Sequence, residues 1–424
     1  NENTAMNLIY NGGLQIYACI DMKAQQIVDN IYMNAANFPQ SKAPNGESLQ
    51  SAIVIMDPYN GKIVAMSGGI GEKTGNLVFN RAVDAQRPPG SSIKPIAVYG
   101  PAIDQGLISP ADKVLDGKVE LSGIKNWFPQ NAGGGYGGRV VTIRQALISS
   151  LNTVSAQILD KLTPGVSYQY LHDRLGVVSL VEEDRNYAPL ALGQLTNGIT
   201  VREMAQAFSA FPNDGVFTYG RSYTHILDSE GKMVLDNTPD TIVAFKANTA
   251  WTISDMLNDA ATYGTGSESN LGIMPHAGKT GSSTDYQDRW FVGYTPYYVA
   301  AVWTGYDTPA RMYVSGNPAA QIWRKVMYSL HEGLPYKTFK EPTYIKPTNI
   351  FGDIEEEESP SPSPSEEVPE ESGNSSSPPV SDPGTGTDIP TPTPPTPSLP
   401  VTPTPAPTPT TAPSPTPTAA QPAA

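Results

Sequence analysis

A serine three residues ahead of a lysine can act as a nucleophile with its own base, and Ser91 and Lys94 have that spacing in Pro88-Pro89-Gly90-Ser91-Ser92-Ile93-Lys94-Pro95. Pro-Pro-Gly cannot be helical, whereas a helix pattern follows it, so Ser91 falls at or just inside a helix N-terminus. Backbone N–H groups and the helix dipole there favour negative charge developing on Oγ. A spacing of three puts both side chains on one face. Lys94 can take the Ser91 proton if burial or a second cation lowers its pKa.

Two further groups could serve such a pair. Ser150 and Asn152, in Ala146-Leu147-Ile148-Ser149-Ser150-Leu151-Asn152-Thr153, offer a hydroxyl to shuttle a proton and a carboxamide to hold a peptide carbonyl. The plainer reading is a pair of polar residues that cap or kink a helix. Lys279, Thr280, Gly281 and Ser282 precede a strand-like run, Trp290 to Tyr294. There Lys279 supplies positive charge, Thr280 and Ser282 supply donors for a carboxylate, and the Ser282 N–H is a candidate oxyanion donor. Gly281 suggests a strand edge that a substrate backbone can approach.

Each pattern has a decoy. Ser229-Glu230-Gly231-Lys232 repeats the Ser-x-x-Lys spacing, but in a hairpin turn with no helix end to activate the serine. Lys73-Thr74-Gly75 lies in a polar loop ahead of Ser91.

The elements that must position these groups follow from periodicity. Residues 14–20 alternate like a strand and 23–38 have helical spacing. Apolar runs 51–57 and 62–66 flank Pro58-Tyr59-Asn60-Gly61 as a β-hairpin. A second hairpin surrounds Asp228–Lys232, and a third joins Trp290–Tyr294 to Tyr298–Trp303. Helical segments are expected at 92–104, 142–160, 201–211, 247–259 and 318–332. Strands at both ends with helices between predict an α+β fold: a central antiparallel sheet packed with helices, plus a helical subdomain.

Composition excludes several function classes. The chain carries a net charge of −14, but 11 acids and no Lys or Arg fall after residue 352, which leaves about −14 − (−11) = −3 on the rest. No basic face is evident, so nucleic acid is not an expected partner. The four histidines are scattered without metal-ligand spacing, and no metal or cofactor is expected. The single cysteine, Cys19, reads as a buried inert thiol. No run of 18 apolar residues or signal peptide is present, and the chain opens without an initiator Met, as a fragment or a mature product would. Residues 353–424 hold 21 prolines among Ser, Thr and Glu and almost no large apolar side chain, which predicts a disordered, polyproline-like tail.

The ordered set Ser91/Lys94, Ser150/Asn152 and Lys279/Thr280/Gly281 resembles the penicillin-binding proteins and serine β-lactamases. Phe79-Asn80-Arg81-Ala82, Gly264-Thr265-Gly266 and Trp290-Phe291-Val292-Gly293-Tyr294-Thr295-Pro296 add to the likeness. So does the opening Gly13 to Asp21, which is similar to the start of the transpeptidase region in the class A, bifunctional members. The resemblance covers about 1–335. It implies a linker at 1–13, a transpeptidase domain at 14–345 and a tail at 346–424.

By that resemblance the substrate is the D-alanyl-D-alanine end of a peptidoglycan stem peptide, and β-lactams would block Ser91. Lys94 would be the base and Ser150 would relay a proton to the leaving D-alanine. Asn152 would position the donor peptide. Lys279, Thr280 and Ser282 would hold the terminal carboxylate, with Gly281 among the substrate-binding residues. The oxyanion would sit between the Ser91 and Ser282 N–H groups. An amine from a neighbouring stem peptide would accept the acyl group.

The protein is expected in the extracytoplasmic cell envelope, anchored through a segment outside these residues. Bifunctional members carry a membrane anchor and a glycosyltransferase domain ahead of this region, and neither lies in this sequence. Pro88-Pro89 also stands where a polar residue often precedes Pro-Gly. Two other readings share the serine: a D,D-carboxypeptidase or β-lactamase, and a non-catalytic β-lactam-binding scaffold in the wall. A Glu-x-x-Leu-Asn segment between Ser150 and Lys279, of the kind class A β-lactamases use to activate water, is absent.

Overall fold

The computed structural model describes residues 2–342. The acidic and proline-rich segment expected at 346–424, and the last residues of the expected domain, lie outside them. The described chain is α+β, built on a five-stranded antiparallel sheet. Its strands are β1 (Gln50–Met56), β2 (Ile63–Ser67), β3 (Ala277–Ser282), β4 (Asp288–Tyr294) and β5 (Val299–Gly305), in the order β3-β4-β5-β1-β2. Pieces more than 200 residues apart are therefore neighbours: Val54 of β1 pairs with Ala301 of β5. The turn between β1 and β2 is held by Asp57, whose carboxylate accepts from Tyr59 N (2.9 Å) and Asn60 Nδ2 (2.7 Å).

Side chains alternate across a strand, and here both parities are apolar. Ala52, Val54 and Met56 join Trp290, Val292, Tyr294, Ala301 and Trp303 in one core. Ile53 and Ile55 join Phe291, Ala300 and Val302 in another. The sheet is therefore covered on both faces. Over the first lie α4 (Val201–Phe208) and α5 (Ala247–Thr262); over the second lie α1 (Met22–Tyr32) and α6 (Pro318–His331). Antiparallel sheets often leave one face to water; the unbroken apolar run 52–56 is what requires a second helical layer here.

Three of the expected helices differ in ways that matter. The segment 23–38 is helical only to Tyr32, because Asn34 accepts from Ala36 N and starts a separate 3-10 turn. The segment 142–160 breaks into α2 (Ile143–Ile148) and α3 (Asn152–Leu162), with Ser150 at φ 58° between them. The segment 92–104 is a 3-10 turn (Gly90–Ile93), a π-helical turn (Pro95–Tyr99) and a short α-helix (Gly100–Asp104).

Proline accounts for much of the last result. Pro95 has no N–H to give Ser91 O an α-type bond, so Lys94 N takes that carbonyl and tightens the turn. Pro101 likewise leaves Ala97 O free, and Ser167 Oγ donates to it at 2.6 Å.

Strands Gln15–Ala18, Tyr223–Leu227 and Met233–Asp236 form a separate small sheet that contains the second expected hairpin. Residues Glu2–Asn11, within the stretch read as a linker, form a helix. No helix among the described residues is long and apolar enough to cross a membrane.

Candidate active site

The tight turn is what aligns Ser91 with Lys94. With about three residues per turn, positions i and i+3 stack one above the other, closer to register than in an α-helix. The turn is wedged among backbone segments that only glycine admits. Gly90 has φ 53°, and a Cβ there would fall 2.2 Å from Ser282 O. A Cβ on Gly281 would fall 2.1 Å from Pro89 O and 2.8 Å from Ser92 Oγ. Gly281 thus admits the Ser91 segment of the same chain, and it also lines the cleft, where the sequence suggested a substrate backbone could approach. Trp290 Nε1 donates to Pro88 O (2.9 Å) and fastens the turn to β4.

Lys94 and Lys279 are both fully buried. Lys94 Nζ donates to Ser150 O (2.8 Å) and to Asn152 Oδ1 (2.7 Å). Two acceptors match the two N–H bonds of a neutral amine and leave its lone pair for a proton. Burial pushes the Lys94 pKa well below its ordinary value, and the charge of Lys279 lowers it further. Lys279 Nζ donates to Ser150 Oγ (2.9 Å). Burial brings the Lys279 pKa down to about 7. Ser150 therefore bridges the two lysines, its carbonyl to one and its hydroxyl to the other. The break between α2 and α3 makes this possible. A left-handed φ costs a β-carbon residue about 1–2 kcal/mol, and such strain is concentrated at functional sites.

A cleft of about 1120 Å³ opens onto this group. Ser91, Ser150, Asn152, Thr280, Gly281 and Ser282 line it. Ser91 is partly exposed, and its hydroxyl makes no hydrogen bond among the described residues. The Thr280 and Thr265 hydroxyls are 2.8 Å apart, so the Gly264-Thr265-Gly266 segment steadies β3 from the side. Neither decoy lines the cleft: Ser229 lies in the exposed turn between two strands of the small sheet, and Lys73 in an exposed loop.

Sequence reasoning missed three residues here. Arg289 faces Ser282 in the β3–β4 register and donates to its Oγ at 2.9 Å. Its Nε is buried without a partner. Hairpin register alone could have found it. Gln130 and Asn131 hold Asn152 from a distant loop: Asn152 Nδ2 donates to Gln130 O and Asn152 N to Asn131 Oδ1, both at 2.8 Å. No periodicity signals that contact.

The site thus joins a buried amine with two acceptors, a second buried lysine and a strand edge rich in donors to the cleft that Ser91 lines. Comparison with known proteins gives the same direction. Residues 51–328 match the penicillin binding protein transpeptidase domain. The chain is 34% identical over 354 residues to penicillin-binding protein 1A of Clostridium botulinum, which covers 81% of this chain and 42% of that protein. It is 31% identical over 338 residues to penicillin-binding protein 4 of Bacillus subtilis, covering 78% of this chain and 51% of the relative. The chain therefore spans about half the length, or less, of these curated relatives. Among solved structures, PonA1 from Mycobacterium tuberculosis in complex with penicillin V superposes with a TM-score of 0.67 at 26% identity, over 81% of this chain and 92% of that one. A domain match across two thirds of the chain, with relatives above 30% identity, places this protein in the penicillin-binding protein transpeptidase family.

Proposed function

We propose that this chain is a serine-type D,D-transpeptidase that acylates Ser91 with the D-alanyl-D-alanine end of a peptidoglycan stem peptide. One observation carries the reading: Lys94 is fully buried, its Nζ has two acceptors in Ser150 O and Asn152 Oδ1, and a second lysine disfavours its charge. That is the environment of a base.

Lys94 Nζ takes the Ser91 proton as Oγ forms a bond to the penultimate carbonyl carbon. The oxyanion that results is placed between the Ser91 and Ser282 N–H groups. The carbon–nitrogen bond to the terminal D-alanine then breaks, and the proton passes through Ser150 to the leaving amine. Lys279, Thr280 and Ser282 receive the terminal carboxylate, and Arg289 orients the Ser282 hydroxyl. An amine from a second stem peptide attacks the ester, takes the acyl group and returns the proton to Ser91. This chemistry belongs to the extracytoplasmic cell envelope. β-Lactams enter the same cleft and leave a stable ester on Ser91.

Intact mass after incubation with benzylpenicillin, followed by peptide mapping, tests the reading. One drug mass retained on the Ser91 peptide is expected. Drug consumed without a lasting adduct would make the chain a hydrolase instead. Neither adduct nor consumption would make it a non-catalytic scaffold.

A further inference from the structure

Asn152 is held by a segment outside all three motifs. α3 begins at Asn152, and its N-cap is Leu151, whose side chain accepts nothing. The first N–H groups of such a helix need an acceptor from elsewhere. Asn131 supplies it from 21 residues upstream: its Oδ1 accepts from Asn152 N at 2.8 Å and from Thr153 N at 3.4 Å. Its neighbour Gln130 accepts from Asn152 Nδ2 at 2.8 Å through its backbone carbonyl.

Asn131 is fixed in turn by Asp116, which is 2% exposed. Asp116 Oδ1 accepts from Asn131 Nδ2 at 2.7 Å and from Thr153 Oγ1 at 2.6 Å. The loop after Asn131 closes on the same carboxylate: a Cβ at Gly137 would fall 2.0 Å from Asp116 Oδ2. A continuous chain of hydrogen bonds therefore runs from Asp116 through Asn131 and Asn152 to Lys94 Nζ. Ala132 and Gly133, next along this loop, line the cleft.

We propose that Asn131, held by Asp116, is a positioning residue for acylation: it fixes Asn152 so that the carboxamide Oδ1 holds Lys94 Nζ with its lone pair free. The inference rests on the reading of Ser91 as nucleophile and Lys94 as base. Asn131 touches neither, so its effect on Lys94 passes through the start of α3, whose Asn152 and Thr153 N–H groups its Oδ1 caps. That is what separates it from a residue that merely stabilises the loop.

The experiment is a double-mutant cycle on the full chain. It measures the rate of adduct formation on Ser91 with benzylpenicillin in wild type, Asn131→Ala, Asn152→Ala and the double variant, with a thermal midpoint for each. Asn131→Ala is expected to slow acylation about tenfold in the wild-type background and less than about twofold when Asn152 is already Ala, as for coupled residues. Losses that multiply would overturn the inference, because they would mean that Asn131 acts independently of Asn152.

A second variant covers the case in which Asn131→Ala does not fold. The exchange Asp116→Asn with Asn131→Asp keeps one donor and one acceptor between the pair and keeps the capping oxygen. It is expected to acylate within about threefold of wild type, as conserved hydrogen bonds predict. A folded exchange variant as slow as Asn152→Ala would overturn the proposal. Failure of the underlying reading is separate and visible without any variant: the wild-type chain would form no adduct on Ser91.

Discussion

Two buried lysines with opposite duties set the pH behaviour of this site. Lys94 must be neutral to take a proton, and Lys279 must keep its proton to attract a carboxylate. Burial and the neighbouring charge push Lys94 down, and burial alone brings Lys279 to about 7. The acylation rate should therefore rise with pH as Lys94 loses its proton and fall as Lys279 does, giving a bell-shaped profile. Lys279→Gln removes the cation that depresses Lys94, so the Lys94 pKa rises and the acid limb moves to higher pH. The alkaline limb disappears and the maximal rate falls on the order of 100-fold. Acylation rate against pH for both proteins checks this, and an acid limb that stays in place would mean that Lys279 does not tune Lys94. Ser91→Ala should abolish covalent penicillin labelling, and Ser229→Ala should leave it unchanged. Labelling that survives the first and not the second would reverse the choice between the two Ser-x-x-Lys matches. Those matches look alike in sequence. They separate in space because one lies in a 3-10 turn on the cleft and the other in an exposed hairpin turn.

Close backbone approach, more than helix propensity, joins the pieces that carry these groups. Gly281→Ala drives a Cβ against Pro89 O, which is backbone and cannot rotate away. Overpacking of this kind costs about 1–3 kcal/mol, and it separates β3 from the Ser91 turn. Both a lower thermal midpoint and a slower acylation are expected. A variant with wild-type values of each would show that the contact is not needed. Ser150→Gly tests the neighbouring break differently. Glycine accepts φ 58° without strain, so the variant should keep or exceed the wild-type thermal midpoint. It should still lose acylation, by about 100-fold or more, with the hydroxyl that Lys279 holds. A drop in both would assign Ser150 to folding and not to chemistry. The three hairpins were legible because apolar runs on either side of turn residues are local signals. The break at 149–151 showed only as the reading that Ser150 and Asn152 cap or kink a helix, since apolar residues at Leu147, Ile148 and Leu151 continue a helical pattern across it. The second helical layer was written in the unbroken run Ala52 to Met56, whose two parities both had to be buried. The Asn131 contact left no trace in periodicity, because a loop supplies the cap that Leu151 lacks.

The matched domain, residues 51–328, contains nearly the whole five-stranded sheet and both helical layers except α1 and the last turn of α6. Every residue that lines the cleft lies between Pro88 and Asn317. The hydrogen bonds that set Lys94, Lys279, Ser150 and Asn152 also close within this span. Most of the net charge lies elsewhere: 11 of the acids that produce −14 follow residue 352. Removing residues 353–424 should therefore change the isoelectric point and leave the chemistry alone. The truncated chain, with a net charge near −3, is expected to acylate with benzylpenicillin at the full-length rate, within about twofold, across the pH range and at both low and high salt. Acylation that is lost or becomes salt-dependent on truncation would mean that the acidic and proline-rich segment contributes to the cleft. That outcome would move the boundary of the functional unit beyond residue 352.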